Sequence, residues 1–531
     1  MTNENRRTGH EGEEAATTET TPLLAASLSP IVPAGDPEAV LATPTPARAP
    51  GSDPSSGRDP DARPLPRRQI LLLCYARLLE PIAFFSIFPY VNQMVRENGG
   101  LAEADMGFYS GLIESLFSLT QMVVMVAWGR AADRVGRKPV LVFSLLGIAL
   151  CTSLFGFAKT IWQMVLFRCA AGVFAGSIVT VRTMISEHST RHTQARAFSW
   201  FAVAGNLGIF VGPLIGGTLA DPAGQYPAWF GGVWFFEAYP YALSSIVVGL
   251  IGISAVVVSA LFIEETLHRD GKNGGSDDDD DDDEAGRSPP ISTWELLRAP
   301  GVGIVLYNYG HVAMLAFAYT AVVPVFWATS VDLGGLGFAP LQISLFMGLT
   351  GFSQAVWLLV VFLRLQRRIG TNGIMRLCGT AYPFFLGSMP LYNLILRPHT
   401  DGGEAVFWTL APIMLALGTG VSMSFTAVQL ALNDVSPSHE TLGTLNALAL
   451  TLSSGLRSFC PALFASLFAI GARNQFLYGY FIWVVMAILG VGFTISTRLL
   501  PETSEKPSLA NGADRYTDEV NREGDSDDTV R

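Results

Sequence analysis

The feature that most limits this chain is a series of apolar runs, each roughly twenty residues long, recurring from residue 70 to residue 499. A helix needs about that length to cross roughly 30 Å of hydrocarbon. The runs predict spans at 70–92, 108–128, 139–158, 161–185, 197–220, 239–263, 302–330, 342–363, 374–396, 405–432, 443–470 and 476–499. The expected fold class is therefore an all-α membrane protein with twelve transmembrane helices in two six-helix halves. Composition supports the class: half of the residues are hydrophobic, only 15% are charged, and mean hydropathy is +0.36. The formal net charge of −11 comes from acidic residues gathered at the ends and in one internal run, so it describes no surface for nucleic acid.

Polar stretches divide the chain. Residues 1–66 are rich in Pro, Ala, Ser, Thr and charge and are expected to form a disordered cytosolic tail. They contain no apolar core of a signal peptide, so the first span is expected to act as its own insertion signal. The N-terminal half then covers 67–263, an acidic linker 264–301, the C-terminal half 302–500 and a second tail 501–531. The run Asp277 to Asp283 with Glu284 reads as a solvated, self-repelling linker. The five cysteines, Cys74, Cys151, Cys169, Cys378 and Cys460, sit in apolar runs at unrelated spacings and read as small hydrophobes. Neither a metal site nor a cofactor is expected.

Basic residues in the short loops orient the chain. Arg130, Arg134, Arg137, Lys138, Arg191, Arg196, Arg364, Arg367 and Arg368 fall on one side, against Arg96, Lys159, Arg397 and Arg473 on the other. Both termini are expected in the cytosol. The halves also echo each other: overlaying them aligns Arg134 with Arg368 and Gly136 with Gly370, after spans two and eight. Many secondary carriers are built from such repeats, with the solute site between the halves.

The loop Gly129-Arg-Ala-Ala-Asp133-Arg134-Val-Gly136-Arg137-Lys138 resembles the signature loop of the major facilitator superfamily. Its glycines permit a tight turn, and Asp133 can reach Arg137 one helical turn on. The resemblance implies that Asp133 and its arginine partners lock the halves together on the cytosolic side in one state; the alternative is a basic anchor with no gating role. In span five, Gly208-Ile-Phe-Val-Gly212-Pro213-Leu-Ile-Gly216-Gly217 places small residues every fourth position around an intrahelical proline. It resembles the antiporter motif of the superfamily's drug-exporting branches, although Ser199 stands where that motif has its first glycine. Tight helix packing is the rival reading.

Ionisable groups inside apolar spans cost roughly 2.5 to 3.5 kcal/mol to insert, so each is a functional candidate. Span one has Arg77 and Glu80 one turn apart before Pro81. Burial and a neighbouring guanidinium pull the proton affinity of Glu80 in opposite directions, which suits a group that loads and releases a proton. A fixed ion pair with Arg77 or Arg168 is the competing reading. Arg168, in Leu166-Phe-Arg168-Cys-Ala-Ala-Gly172-Val-Phe-Ala-Gly176, resembles the superfamily's proton-transfer motif. Glu114, His311 and Arg457 complete the proton-coupling candidates, with a hydrogen-bonded core role the plainer reading for His311. The aromatic residues Phe84 and Phe88 of span one, and Tyr307 and Tyr319 of span seven, are candidates for a solute cavity, though rings also serve as packing anchors. In the head, Glu19-Thr-Thr-Pro-Leu23-Leu24 resembles an acidic dileucine sorting signal.

The resemblance covers residues 67 to about 500 and is to the twelve-span drug:proton antiporter branch, in particular a fungal group related to plant zinc-induced-facilitator-like carriers. The span-one phrase around Glu80-Pro81 and the stretch from Ser186 to Phe198 carry the narrower likeness. It implies the major facilitator fold, acting as a monomer in the cell or vacuolar membrane, with protons, lipid and a small organic solute as partners. Proton-coupled efflux of a drug or secondary metabolite is the implied function. A carrier of a nutrient or metal chelate is the alternative. No GxSxG, HExxH or GxxxxGK pattern is present, so no catalytic residue is assigned.

Overall fold

In the computed structural model the chain is described at residues 65–267, 293–436 and 439–500. The head with its dileucine-like segment, the acidic run at 277–284 and the tail beyond 500 lie outside the described residues. Twelve spans are present among those described. Ten stretches are long and apolar enough to cross a membrane on length and hydropathy alone. Span one escapes that criterion because Arg67–Phe85 carries Arg67, Arg68, Arg77 and Glu80. The 57-residue stretch Pro340–Leu396 counts once. It is far too long for one crossing, and Gly370, at φ 70° and ψ 173°, breaks it into spans eight and nine.

Spans two, three, five, six, seven, eleven and twelve are Met106–Val135, Arg137–Phe155, Arg191–Thr218, Ala242–Phe262, Val302–Ala328, His439–Arg473 and Phe481–Arg498. Gly136, at φ 122°, makes the sharp turn from span two into span three. It occupies the place that Gly370 takes in the second half, so the sequence echo corresponds to a shared left-handed turn.

The other spans are interrupted, which the hydropathy pattern does not register. Span one is Arg67–Phe85 and Val91–Gly99, separated by turns at 86–90. Span four is Ile161–Phe174 and Ser177–Glu187. Span eight is Pro340–Val356 followed by a π-helical stretch, Trp357–Phe362. Span nine ends in Met389–Leu396, and span ten runs Asp401–Gly418, a tight turn at Thr419–Ser422, then Met423–Asp434. A backbone break leaves carbonyls without helical partners, which lipid cannot satisfy, so each break must be caught by neighbours.

The buried apolar residues form two clusters, one drawn from 70–263 and one from 296–500. Part of the expected polar linker belongs to the second: Thr293–Arg298 is helical, and Leu296 is buried in that core. The clusters meet along two seams, span two against span eleven and span five against span eight. We call the end of the bundle that holds residues 65 and 500 the tail end, and the opposite one the far end. The seams are tight at the far end. Gly107 and Gly111 lie against the backbone of Ala465 and Pro461, and Gly217 against Pro340 and Ser344. Polar contacts join the halves there: Ser330 N donates to Glu103 (2.5 Å), Ala462 N to Ser115 Oγ (2.8 Å), and Arg473 pairs with Asp105 (3.4 Å). Toward the tail end, span two past Gln121 buries only Ala132. The halves are thus closed at the far end, while little of span two is buried toward the tail end.

Candidate functional site

Half-way along span one, the packing concentrates the charge that the sequence scatters. Gly208, Gly212 and Gly216 of span five press on span one from Leu78 to Ser86, with Gly208 against Pro81 and Gly212 3.0 Å from the Ile82 carbonyl at its would-be Cβ. This close approach, which any side chain would block, positions Glu80 and Arg77 in the interior. Pro213 lies within this helix and costs it one backbone donor. Gly217 faces the other half, so the motif serves an intra-half contact and a seam at once.

Glu80 is 4% exposed, and each of its two oxygens has a donor. Gln121 Nε2 of span two donates to Oε1 at 2.6 Å, Ser177 Oγ of span four donates to Oε2 at 3.1 Å, and Arg77 Nη1 lies 3.7 Å from Oε2. Arg77 also stands over the Phe201 ring (5.1 Å), which Arg182 approaches from span four (5.4 Å). Arg168 is 2% exposed, reaches the Ala83 carbonyl at 3.4 Å, and lies over Phe84 (5.2 Å) and Phe117 (4.6 Å). Glu114, buried on span two, is its electrostatic partner. From the other half, Arg457 stands 4.7 Å from the centre of the same Phe84 ring. Four guanidinium groups and two carboxylates therefore surround Phe84 and Phe201, where aromatic faces take the place of lost hydration.

The structure brings together Arg77, Glu80, Glu114, Arg168, Arg457 and Phe84, while Phe88 lies tilted against Phe84 and stacks on Phe85. His311 and Tyr307 lie elsewhere. His311 Nε2 is 3.0 Å from the Leu489 carbonyl of span twelve, its ring lies between Tyr307 and Phe493, and Tyr307 is exposed. Tyr319 packs on Phe385 of span nine. Three site residues were missed by the sequence reading. Arg182 carries the same insertion cost as Arg168 and could have been found by that signal. Gln121 and Ser177 are neutral and give no such signal.

At the tail end, Arg137 bridges Asp133 (3.7 Å) on its own side of the turn and Glu187 at the end of span four. Glu265, just past span six, accepts from Arg137 N (2.9 Å) and Lys138 N (3.1 Å), so a carboxylate caps the start of span three. Arg134 and Lys138 carry no ion pair among the described residues, and Gly129 lies near Val179.

Two pseudo-equivalent six-helix halves, closed at one end around a buried charged cluster, define a class of membrane transporter and not an enzyme. The Major Facilitator Superfamily model matches residues 73–461, and the chain belongs to that family. It is 46% identical over 438 residues to the efflux pump azaK of Aspergillus niger, covering 82% of this chain and 89% of that one. It is 28% identical to the Arabidopsis thaliana protein ZINC INDUCED FACILITATOR-LIKE 1, covering 82% and 91%. Among solved structures, that of a D-xylose–proton symporter has the same fold, with a TM-score of 0.61 at 13% identity over 83% of this chain and 99% of that one.

Proposed function

We propose that this carrier expels small organic compounds from the cytosol in exchange for protons, by alternating access, as a monomer in the cell or vacuolar membrane with both termini cytosolic. The 46% identity to an efflux pump supports the direction of transport. The observation that carries proton coupling is Glu80: a carboxylate buried near mid-span, held by Gln121 and Ser177, with guanidiniums from both halves nearby. Such a group changes its charge only by exchanging a proton with whichever mouth is open. The basic loops and the Asp133 cluster lie at the tail end, which agrees with a cytosolic tail end.

The test uses the full chain in proteoliposomes and extracts of cells that make candidate solutes. Imposing a pH difference is expected to drive solute flux and a matching proton movement, read by a trapped pH dye. Glu80→Gln should abolish the pH-driven part while leaving expression and folding intact. Wild-type pH-driven flux in that variant would overturn the assignment of Glu80. Solute flux toward the side that holds the tail end, instead of away from it, would favour a nutrient or chelate carrier.

A further inference from the structure

Span four breaks at Ala175 and Gly176, deep in the bundle and beside Glu80, and every carbonyl the break strands is caught. Ala175 has φ −76° and ψ 51°, outside the helical range, and Gly176 then begins the second segment. Trp128 Nε1 donates to the Val173 carbonyl (2.6 Å), Ser144 Oγ to the Phe174 carbonyl (2.6 Å) and Gln121 Nε2 to the Ala175 carbonyl (3.1 Å). Three consecutive carbonyls are thus held by side chains from spans two and three. The indole of Trp128 lies directly against Gly176, where a Cβ would overlap the ring. An interruption so fully supported is a built feature of the helix and not a fault in it.

The same Gln121 nitrogen that holds the Ala175 carbonyl also donates to Glu80 Oε1, and Ser177, the first residue after the break, donates to Oε2. Gln121 is 4% exposed, so both amide hydrogens are committed within the protein. The two oxygens of Glu80 therefore grip the break from its two sides. An ionised carboxylate has acceptors for both donors. When a proton adds to Oε1, its O–H meets the Gln121 amide N–H, which can only donate; when it adds to Oε2, the Ser177 hydroxyl must reverse to accept it; in either case the bond at the other oxygen loses its charge assistance. The grip of Glu80 on the break is then weakened on one side and weakened or reversed on the other, and the break is freer to change its bend.

We infer that Gln121 and Ser177 are positioning residues that transmit the charge of Glu80 to the break in span four, so that proton binding alters the shape of this helix directly. The inference rests on the reading of Glu80 as the proton site. The other half holds a comparable uncharged joint: Trp357 Nε1 donates to the Ala416 carbonyl (2.8 Å) beside the turn in span ten, and a Cβ on Gly420 would stand 2.9 Å from the Trp357 ring. Both halves thus carry a Trp–Gly joint, and the one in the first half is wired to a carboxylate.

The indole at the break is the reporter. Tryptophan emission of the purified full chain in nanodiscs is titrated between pH 4 and 9, and the Trp128 component is taken as the difference from Trp128→Phe. A pH-dependent Trp128 component is expected in the wild type. Glu80→Gln and Gln121→Leu should each reduce its amplitude at least fivefold, and Ser177→Ala should reduce it about twofold. The Trp357 component, isolated in the same way, should not respond in any of them. A Trp128 signal that does not vary with pH overturns the inference, as does a full-amplitude signal in both Gln121→Leu and Ser177→Ala. Ser177→Ala removes one hydroxyl, and should Gln121→Leu fail to fold, a full-amplitude signal in Ser177→Ala alone overturns the inference. If Glu80→Gln loses pH-driven flux while the Gln121 and Ser177 variants keep the wild-type signal, the proton site stands and the link to span four falls. If the signal behaves as expected while Glu80→Gln keeps pH-driven flux, the link stands and the proposed coupling falls.

Discussion

The far-end seam offers the most direct test of alternating access, through a single methyl group on span two. Gly111 faces span eleven so closely that a Cβ there would stand 2.6 Å from both the Ala465 Cβ and the Pro461 carbonyl oxygen. Comfortable contact begins near 3.4 Å, so Gly111→Ala must push the seam open by roughly 0.8 Å or bend one helix. Both obstacles belong to backbone or to a Cβ, and neither can rotate away. Overpacking of this kind costs about 1 to 3 kcal/mol. The cost applies only while the far end is closed, because the seam parts in the opposite state. The equilibrium should therefore move toward the far-open state by roughly 5- to 150-fold. With the five native cysteines replaced by alanine, Ser110→Cys supplies the reporter: Ser110 is fully buried, and its hydroxyl bonds only to Gly107 of its own helix. Labelling by a membrane-impermeant maleimide from the far side should accelerate by that factor when Gly111→Ala is added. An unchanged labelling rate in a protein of wild-type melting temperature would refute the reasoning, because the methyl group would then have been absorbed without opening the seam.

Three further outcomes are expected. Arg457→Gln removes a cation that stands on Phe84 across the halves, an interaction worth up to about 2 kcal/mol when desolvated, so far-side labelling of Ser110→Cys should rise by at most roughly thirtyfold. Partial burial raises the proton affinity of Glu265, but the N–H groups of Leu267, Arg137, Lys138 and Thr266 more than offset this and leave its pKa below the ordinary carboxylate value. A group depressed on folding stabilises the protein above its unfolded value, about 4.3, and loses that contribution as pH falls through the folded value; Glu265→Gln should therefore melt lower than wild type at pH 7 and show less acid dependence in thermal unfolding. His311→Gln should leave the pH dependence of transport as it is and lower stability by about 1 kcal/mol, measured by thermal shift, because its ring serves the contact with Leu489 and Phe493.

How much could be read from the sequence depended on whether a residue differs from its surroundings. A twenty-residue apolar run and a guanidinium inside it stand out, so the spans, Arg77, Glu80, Glu114, Arg168 and Arg457 were all legible. A helix break does not stand out, because Ala175 and Gly176 are as apolar as their neighbours and only the backbone angles separate them. Gln121 and Ser177 were hidden for the same reason: neutral polar residues are common in spans, and their importance comes from what they touch. Helical phase explains the separation of His311 from the cluster. Nothing in the hydropathy of span seven says which of its faces meets span twelve.

The distribution of breaks and charges within the bundle is itself informative. Lipid penalises a buried charge and an open carbonyl alike, so a chain that merely had to span a membrane would carry neither. Here both occur together: the Ala175 carbonyl at the break in span four is one side chain, Gln121, away from Glu80, and the glycines of span five press span one, which carries Glu80, into the interior. The two costs are met in part together, since the Gln121 amide donates both to the carboxylate and to the Ala175 carbonyl. On the inference above, that dependence would let the region take two arrangements, because the Gln121 amide suits an ionised Glu80 better than a protonated Oε1. The far-end seam, built from glycines against backbone, supplies the complementary property of closing tightly through small contacts that can also part. A helix whose bend follows the charge of Glu80, as inferred above, set beside a seam that opens at modest cost would be sufficient physical basis for a carrier that alternates.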